Sequence, residues 1–171
     1  MSREESAEIH AVVADEEELL ERVRTAIERA RRRAAARRER DRTAELRAIR
    51  DEAAEAHPED LPSLLHDLDL GQRLEARRGA ERFPNPASPY VAHVRVDEGN
   101  GPVDYLLGHV SFFDSRHGVH VVDWRVAPVA RIFYRYREGD HYEETFPGRV
   151  AEGVVTARRI VVIENGSLAR I

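Results

Sequence analysis

The chain has 171 residues, a length that suits one ordinary domain or two small units. Charged residues make up 35% of it, above the usual quarter, and the net charge of -5 excludes a general affinity for nucleic acid or membrane surfaces. Cysteine is absent, which excludes disulfides and thiolate zinc sites. The acidic start has no signal-peptide pattern and no apolar run could span a bilayer, so we expect a cytoplasmic protein with no membrane partner.

The first third of the chain predicts one long helix. Residues 15–56 contain neither glycine nor proline and are rich in Ala, Glu, Arg and Leu. Asp15, with Glu18 three residues later, is expected to cap the start of this helix. A narrow apolar seam with spacings of three and four residues breaks once and resumes in another phase: Leu20, Val23, Ile27, Ala30 and Ala34, then Leu46, Ile49 and Ala53. So narrow a seam predicts a rod that projects or pairs with another helix.

A second amphipathic segment follows a short connector. His57-Pro58 is expected to end the first helix, and leucines between residues 61 and 74 predict a shorter helix that runs to about Arg82. Two helices joined by a short turn predict an antiparallel helical hairpin, or coiled coil, over residues 1–82. Acidic residues cluster around its inferred tip, and the candidates for contact with a partner are Glu55, Glu59, Asp60, Asp67 and Asp69. The alternative is an ordinary solvated loop, because blocks of charge usually only solvate a surface.

The remaining residues, 83–171, predict a β unit. "RFPNPASPY" marks the boundary, and beyond it apolar residues alternate between the turn signals "GNG", "SRHG", "REGD", "PG" and "ENG". The run "PVDYLLGHVSFFD", residues 102–114, is interpreted as one strand. We expect about six antiparallel strands that form a small meander or barrel, and hence an α+β chain. The candidate core residues are Val91, Val94, Val96, Leu106, Val110, Phe112, Val122, Trp124, Ile132, Tyr134, Val155 and Val161.

The most distinctive stretch is "VVDWRVAPVARIFY", which we interpret as part of a long strand. On a strand, Asp123 and Arg125 share a face and are expected to form a structural salt bridge, while Trp124 anchors the opposite, apolar face. Pro128 cannot donate to a ladder and is expected at an edge or bulge. The alternative is that Arg125 docks a neighbouring domain or partner.

We find no pattern that indicates a reaction centre. There is no G-x-x-x-x-G-K-[ST] phosphate loop and no G-x-S-x-G nucleophile elbow. His117 and His120 would face opposite sides of a strand, so we predict no metal site there. Glu143 and Glu144 would also face apart, which makes a poor acid–base pair. We therefore expect no catalytic residue and no cofactor in this chain.

The order of motifs in the second half resembles the N-terminal region of HelD-type proteins, which are UvrD/Rep-like superfamily 1 helicase relatives that act on bacterial RNA polymerase. The residues that carry the resemblance are Ser88, Pro89, Tyr90, Asp123, Trp124, Arg125, Ala127, Pro128, Phe133, Tyr134, Gly148, Gly153, Arg158, Arg159, Asn165 and Gly166. Val126, inserted between D-W-R and A-P, departs from the family pattern, and the second hairpin arm looks shorter than the family's.

The resemblance implies a mechanical role. In the family, the hairpin enters the secondary channel of the polymerase, the β unit leads into the motor domains, and ATP use helps to release or recycle polymerase. ATP and Mg²⁺ would then belong to a longer parent protein, and we expect this chain to be a piece or a stand-alone remnant of such a protein. Its partners would be core RNA polymerase and the downstream motor domains.

The competing hypothesis is an accessory domain that handles single-stranded DNA without any link to polymerase. It requires a basic, aromatic-bearing surface, for which "RIFYRYR" offers Arg131, Arg135 and Arg137 beside Tyr134. Alternation along a strand would direct half of these side chains into the core, which weakens the hypothesis.

Overall fold

A computed structural model describes residues 3–55 and 83–171 of the chain. Helix α1 spans Arg3–Glu55, and a short helix α2 spans Ala130–Arg135. The strands are β1 (Ala92–Asp97), β2 (Pro102–Gly108), β3 (Phe112–Asp114), β4 (Val119–Asp123), β5 (His141–Phe146), β6 (Arg149–Ile160), β7 (Val162–Glu164) and β8 (Ser167–Arg170), with one 3-10 turn (Ser115–His117) before β4.

The chain divides into two compact units. One combines Met1–Glu28 with Pro84–Ile171, and the other comprises Arg29–Phe83. The first part of α1 therefore belongs with the strands. The expected second arm of the hairpin lies outside the described residues, so the hairpin and the boundary between residues 82 and 83 stay predictions.

The long first helix is confirmed, although it begins at Arg3 and not at Asp15. Asp15 lies within α1, and its carboxylate binds arginines of the sheet instead of capping a helix end. Of the predicted seam, Leu20, Val23 and Ile27 are buried, whereas Ala30 and Ala34 are half-buried; the neighbouring Leu19 and Ala26 are buried as well. These positions recur every three or four residues, so α1 presents one stripe to the first unit. Leu46, in the second part of the predicted seam, is 43% exposed.

The main sheet is mixed and open, in contrast to the predicted antiparallel meander or barrel. Its six strands have the order β3-β4-β2-β1-β6-β5, and β7 and β8 form a separate two-stranded sheet. β2 runs parallel to β4, with Leu106 opposite Val121. The prediction was wrong because it interpreted residues 102–114 as one strand. The chain instead leaves β2 after Gly108, and β3 pairs antiparallel with β4.

The two faces of the main sheet carry different side chains. Ala92, Val94 and Val96 of β1 face a hydrophobic cluster that includes three residues of α2: Ala130, Ile132 and Phe133. His93 and Arg95 alternate with them and face the first part of α1, to which they are linked by hydrogen bonds. The first part of α1 and α2 thus cover opposite faces of the sheet.

A β-bulge in β6 shifts its pairing with β1 by one residue, and this shift decides which side chains of β6 face each side of the sheet. Arg95 is opposite Ala157 and Val96 is opposite Val155, so Thr156 is an extra residue on β6. The bulge places Val155 in the hydrophobic cluster, although Arg159 farther along faces α1. Gly153, one of the residues that carried the family resemblance, is needed here for a close approach: a Cβ at this position would lie 2.5 Å from the carbonyl oxygen of Asp97.

The largest correction concerns "VVDWRVAPVARIFY". β4 ends at Asp123, turns occupy residues 124–129, and α2 follows. Pro128 lies in the turn before α2, and not at a strand edge or bulge. Eight of the candidate core residues are buried: Val94, Val96, Leu106, Phe112, Val122, Ile132, Val155 and Val161.

Val110 is half-buried, and three further candidates are exposed: Val91 (40%), Trp124 (38%) and Tyr134 (59%). Trp124 and Tyr134 were expected in the core because the prediction applied the two-residue period of a strand to residues that form a turn and a helix.

Candidate functional sites

The turn after β4, Asp123–Trp124–Arg125, is a compact polar structure that we call the DWR turn. The guanidinium of Arg125 donates two hydrogen bonds to the carboxylate of Asp123, from Nε at 2.9 Å and from Nη2 at 2.7 Å. The backbone N–H of Arg125 donates to the same carboxylate at 3.0 Å. Trp124 Nε1 donates to His109 Nδ1 at 3.2 Å. The predicted ion pair therefore forms, but it closes a turn instead of lining a strand.

The DWR turn is exposed, and its internal hydrogen bonds indicate that it orients the backbone after β4. Hydrogen bonds from Arg125 lower the pKa of Asp123 to about 2, so the pair remains ionised throughout the neutral range. The side chain of Arg125 is 56% exposed, and Val126 beside it is 76% exposed. Docking of a neighbour by Arg125 stays a prediction, since an exposed ion pair is compatible with a structural role alone.

Helix α2 presents a buried side and an exposed side. Phe133 is buried, and the guanidinium carbon of Arg158 lies 4.4 Å above its ring. Arg158 Nε also donates to the carbonyl oxygen of Phe133 at 2.7 Å, which fixes α2 to β6.

The exposed side of α2 carries Arg131, Tyr134 and Arg135, which we call the α2 face. Both arginines pair with the carboxylate of Glu144 on β5, at 3.8 Å for Arg131 and 2.9 Å for Arg135. Glu144 itself is only 4% exposed. The structure thus brings two of the three candidate nucleic-acid arginines together, and Arg137 lies exposed just beyond the helix.

A set of ionisable side chains that sequence reasoning missed lies where α1 meets the sheet. We call it the buried ionic cluster, and its members are Asp15, Glu16, Tyr90, His93, Arg95, Asp104 and Arg159. Glu16 and His93 have no exposed surface, and Tyr90 is 1% exposed. Its three carboxylates face His93, Arg95 and Arg159, and Arg22 of α1 approaches Asp104 at 3.6 Å.

His93 is at the centre of the buried ionic cluster. Its Nδ1 lies 2.8 Å from Glu16 Oε2, and its Nε2 lies 2.8 Å from Asp104 Oδ1. Ionised carboxylates only accept hydrogen bonds, so both ring nitrogens must donate and the ring must be protonated. Burial alone would lower the pKa of His93, but the hydrogen bonds to Asp104 and Glu16 outweigh it and raise the pKa.

The carboxylates of the buried ionic cluster remain ionised because the hydrogen bonds that they accept outweigh the effect of burial. Burial would raise the pKa of Asp104, but hydrogen bonds from His93 and Arg95 hold it far below its usual range. The pKa of Glu16 is likewise lowered against the effect of burial by His93, Arg159 and Tyr90. Arg159 Nη1 joins the two acidic residues of α1, at 2.9 Å from Asp15 and 3.0 Å from Glu16.

The cluster is suited to holding α1 against the sheet and not to catalysis, because its central groups have no access to a substrate. A signal for it existed in the sequence. His93 and Arg95 alternate with apolar residues on β1, and Asp104 follows on the next strand, so two strands place charge on one face. That charge needed a partner from outside the sheet, and Asp15-Glu16 supplies it.

Of the acidic candidates for contact with a partner, only Glu55 belongs to the residues that the structure describes. Glu55 is the last residue of α1. Glu59, Asp60, Asp67 and Asp69 lie outside the described residues. The proposed tip is therefore known from sequence only.

Neither metal-binding nor membrane-spanning features are found in residues 3–55 and 83–171. No three His, Asp or Glu side chains in these ranges are grouped so that they could hold a metal ion. His117 belongs to the 3-10 turn and pairs with Asp114 at 2.8 Å, whereas His120 is on β4. Neither described helix combines the length and the apolar character that a bilayer span requires.

An open cleft of about 510 Å³ lies where the β1–β2 turn meets β5 and β6. Apart from Tyr142 and His141, its ionisable lining consists of carboxylates, which are those of Asp97, Glu98, Glu143 and Glu152. The carboxylate of Glu98 is already occupied by Tyr142 at 3.0 Å and by Arg149 at 2.7 Å. Such a lining disfavours phosphate groups.

Comparison with known proteins agrees with the motifs described above. Residues 13–171 match the sequence family of the N-terminal domain of DNA helicase IV HelD. The match includes the DWR turn, α2 and every member of the buried ionic cluster. No curated protein matches the chain.

Proposed function

The chain belongs to the family of N-terminal domains of DNA helicase IV HelD, and from this membership we propose that it is the non-catalytic, polymerase-binding module of a HelD-like helicase. In this proposal the helical segment enters the secondary channel of RNA polymerase and helps to release or recycle the enzyme. The motor domains of the helicase, with ATP and Mg²⁺, would supply the energy. The sequence of this chain contains no phosphate loop that could bind ATP.

The observation that carries the proposal is the contrast along α1. The helix is continuous from Arg3 to Glu55. Its first part is held by the buried ionic cluster, whereas every residue from 35 to 48 is exposed. A helix that is fixed in one segment and solvated in another is suited to making contact with a partner, since no apolar core constrains the solvated segment.

Charge along the sequence supports the same proposal. The stretch from Asp51 to Asp69 contains seven acidic residues and no arginine, whereas Arg31–Arg33 belong to a basic stretch of α1. An acidic end is repelled by the backbone of nucleic acid and would suit a basic or metal-containing channel.

The test measures binding of the full chain to core RNA polymerase by fluorescence anisotropy. We expect binding at micromolar concentration or tighter, and we expect a transcript-cleavage factor that occupies the secondary channel to compete with it. Replacing Glu55, Glu59 and Asp60 with arginine should weaken binding about ten-fold or more, because like charges would then face a basic channel.

The matched control reverses Arg31, Arg32 and Arg33 to glutamate, the same number of charges elsewhere on α1. We expect this variant to retain most of the affinity. Absence of competition, or an equal loss in both variants, would contradict entry of the acidic segment into the channel.

A further inference from the structure

We propose that the α2 face, formed by Arg131, Tyr134 and Arg135, is a contact site for single-stranded nucleic acid. The arginines would bind phosphate groups, and the ring of Tyr134 would stack on an unpaired base. This site uses other residues than the acidic segment considered above and does not depend on binding to polymerase.

The first step of the argument is the orientation of α2. Ile132 and Phe133 are 1% and 5% exposed and pack in the hydrophobic cluster, which fixes the rotation of the helix. Residues 131, 134 and 135 are separated by three and four positions, so they share the opposite side. A strand would have directed half of these side chains inward, but the helix leaves all three exposed.

The second step concerns the charge of the α2 face. α2 contains no acidic residue, and the carboxylate that faces its two arginines is that of Glu144. One carboxylate facing two guanidinium groups leaves a net positive charge. Glu144 is buried, so it holds both arginines from below, while the side chains of Arg131 and Arg135 are 47% and 62% exposed and accessible to phosphate. Arg137 adds a further exposed positive charge beside the face.

The third step concerns Tyr134. The residue is 59% exposed, and its ring packs edge-to-face against Phe133 with the ring centres 5.5 Å apart. That contact supports the ring from one side and leaves most of its surface open. An exposed aromatic ring between arginines is the combination that proteins use to hold single strands, because each base offers a flat surface for stacking and each nucleotide offers a phosphate. Paired bases in a duplex cannot reach such a ring.

The experiment measures the affinity of the full chain for fluorescein-labelled dT20 and rU20 by anisotropy, at several salt concentrations between 50 and 200 mM. An unlabelled duplex of the same length serves as competitor. We expect both single strands to bind, the affinity to fall steeply with salt, and the duplex to compete poorly. Binding of only one of the two strands would still support the proposal and would show a preference between the DNA and the RNA strand.

Two single substitutions test the residues. Tyr134→Ala should weaken binding roughly five-fold or more, the effect of losing one stacked base. Arg135→Gln should reduce the slope of log K against log salt by about 0.7, the value for one phosphate contact to a single strand. Arg135→Gln leaves Arg131 to neutralise Glu144, so the variant is expected to fold, which circular dichroism can verify.

Phe113→Ala is the matched control. Phe113 is 60% exposed, almost the same as Tyr134, but it lies on β3, at the opposite edge of the sheet from β5. We expect this control to bind as the unaltered chain does. The proposal is wrong if the unaltered chain binds neither dT20 nor rU20. It is also wrong if Tyr134→Ala and Arg135→Gln bind with unchanged affinity and salt slope.

Discussion

His93 lies fully buried between the carboxylates of Glu16 and Asp104, each 2.8 Å from a ring nitrogen. A buried charge is tolerated only when it is paired and hydrogen-bonded, and His93 meets both conditions on both sides. The cost of changing it therefore comes from the partners that are left behind, since a buried ion without its counter-ion is strongly destabilising.

At the residue scale, we expect His93→Gln to lower the free energy of unfolding by about 3 kcal/mol, the range found when one partner of a buried ion pair is removed. Urea denaturation followed by circular dichroism measures this loss. His10→Gln is the control, because His10 is exposed on the same helix that supplies Glu16, and its change should stay within about 0.5 kcal/mol. Equal effects of the two substitutions would contradict the central position of His93.

The DWR turn contrasts with His93 because its ion pair is exposed and not buried. Asp123 and Arg125 form a closely hydrogen-bonded pair, but the side chain of Arg125 is exposed to solvent. Water screens such a pair, so its contribution lies in the shape of the turn and not in net stability. Its geometry sets the direction in which the chain enters α2.

At the scale of elements, α1 combines a buried stripe with an exposed stretch. Ile27 is completely buried, whereas Leu46 on the same helix is 43% exposed. We expect Ile27→Ala to reduce the free energy of unfolding by about 2–5 kcal/mol, because it removes apolar contacts and leaves a cavity. Leu46→Ala should change it by less than about 1 kcal/mol.

Both variants of α1 can be compared in the same urea titration. Helix propensity does not explain a difference between them, since alanine is the better helix former at each site. A similar loss at both positions would mean that Leu46 is as important to the folded core as Ile27, contrary to their exposures.

The element that sequence reasoning misplaced is α2. Its residues Ile132, Phe133 and Tyr134 are of types that favour strands, and the stretch continues an apolar run that begins in β4. The backbone nevertheless turns after Asp123, because the side chain of Asp123 accepts the N–H of Arg125 and its carbonyl oxygen accepts the N–H of Ala127 at 2.9 Å. Local hydrogen bonds of this kind override a weak propensity.

At the scale of the whole molecule, the buried ionic cluster makes stability depend on pH in two directions. The folded pKa of His93 is raised above its ordinary value of 6.5, so the folded state binds more protons there than the unfolded chain does. The stability that His93 contributes is fully present below about pH 6.5 and is lost as the pH rises through the folded pKa. Glu16 and Asp104 have lowered pKa values, so their contribution is present above their ordinary values of 4.5 and 3.8 and is lost as the pH falls through the folded values.

We therefore expect maximal stability between about pH 4.5 and pH 6.5, the interval in which all three groups contribute fully. Urea midpoints measured from pH 3 to pH 9 test this expectation. In His93→Gln the decline above pH 6.5 should become shallower. The decline in acid should become smaller but persist, because Arg95 and Arg159 still lower the pKa values of Asp104 and Glu16. If the urea midpoint of the unaltered chain rises between pH 7 and pH 9, that result would contradict a protonated His93 in the folded state.

The sequence alone determined the long first helix, the turns at "GNG", "PG" and "ENG", eight of the twelve candidate core residues of the β unit and the family. These follow from composition, period and turn chemistry, which act over a few residues. The order of the strands, the parallel pairing of β2 with β4, the α2 face and the buried ionic cluster were decided only by the tertiary structure. They depend on which distant segments meet: Glu16 and His93 are 77 residues apart in the chain, and a local pattern does not specify the partner that a buried charge will find.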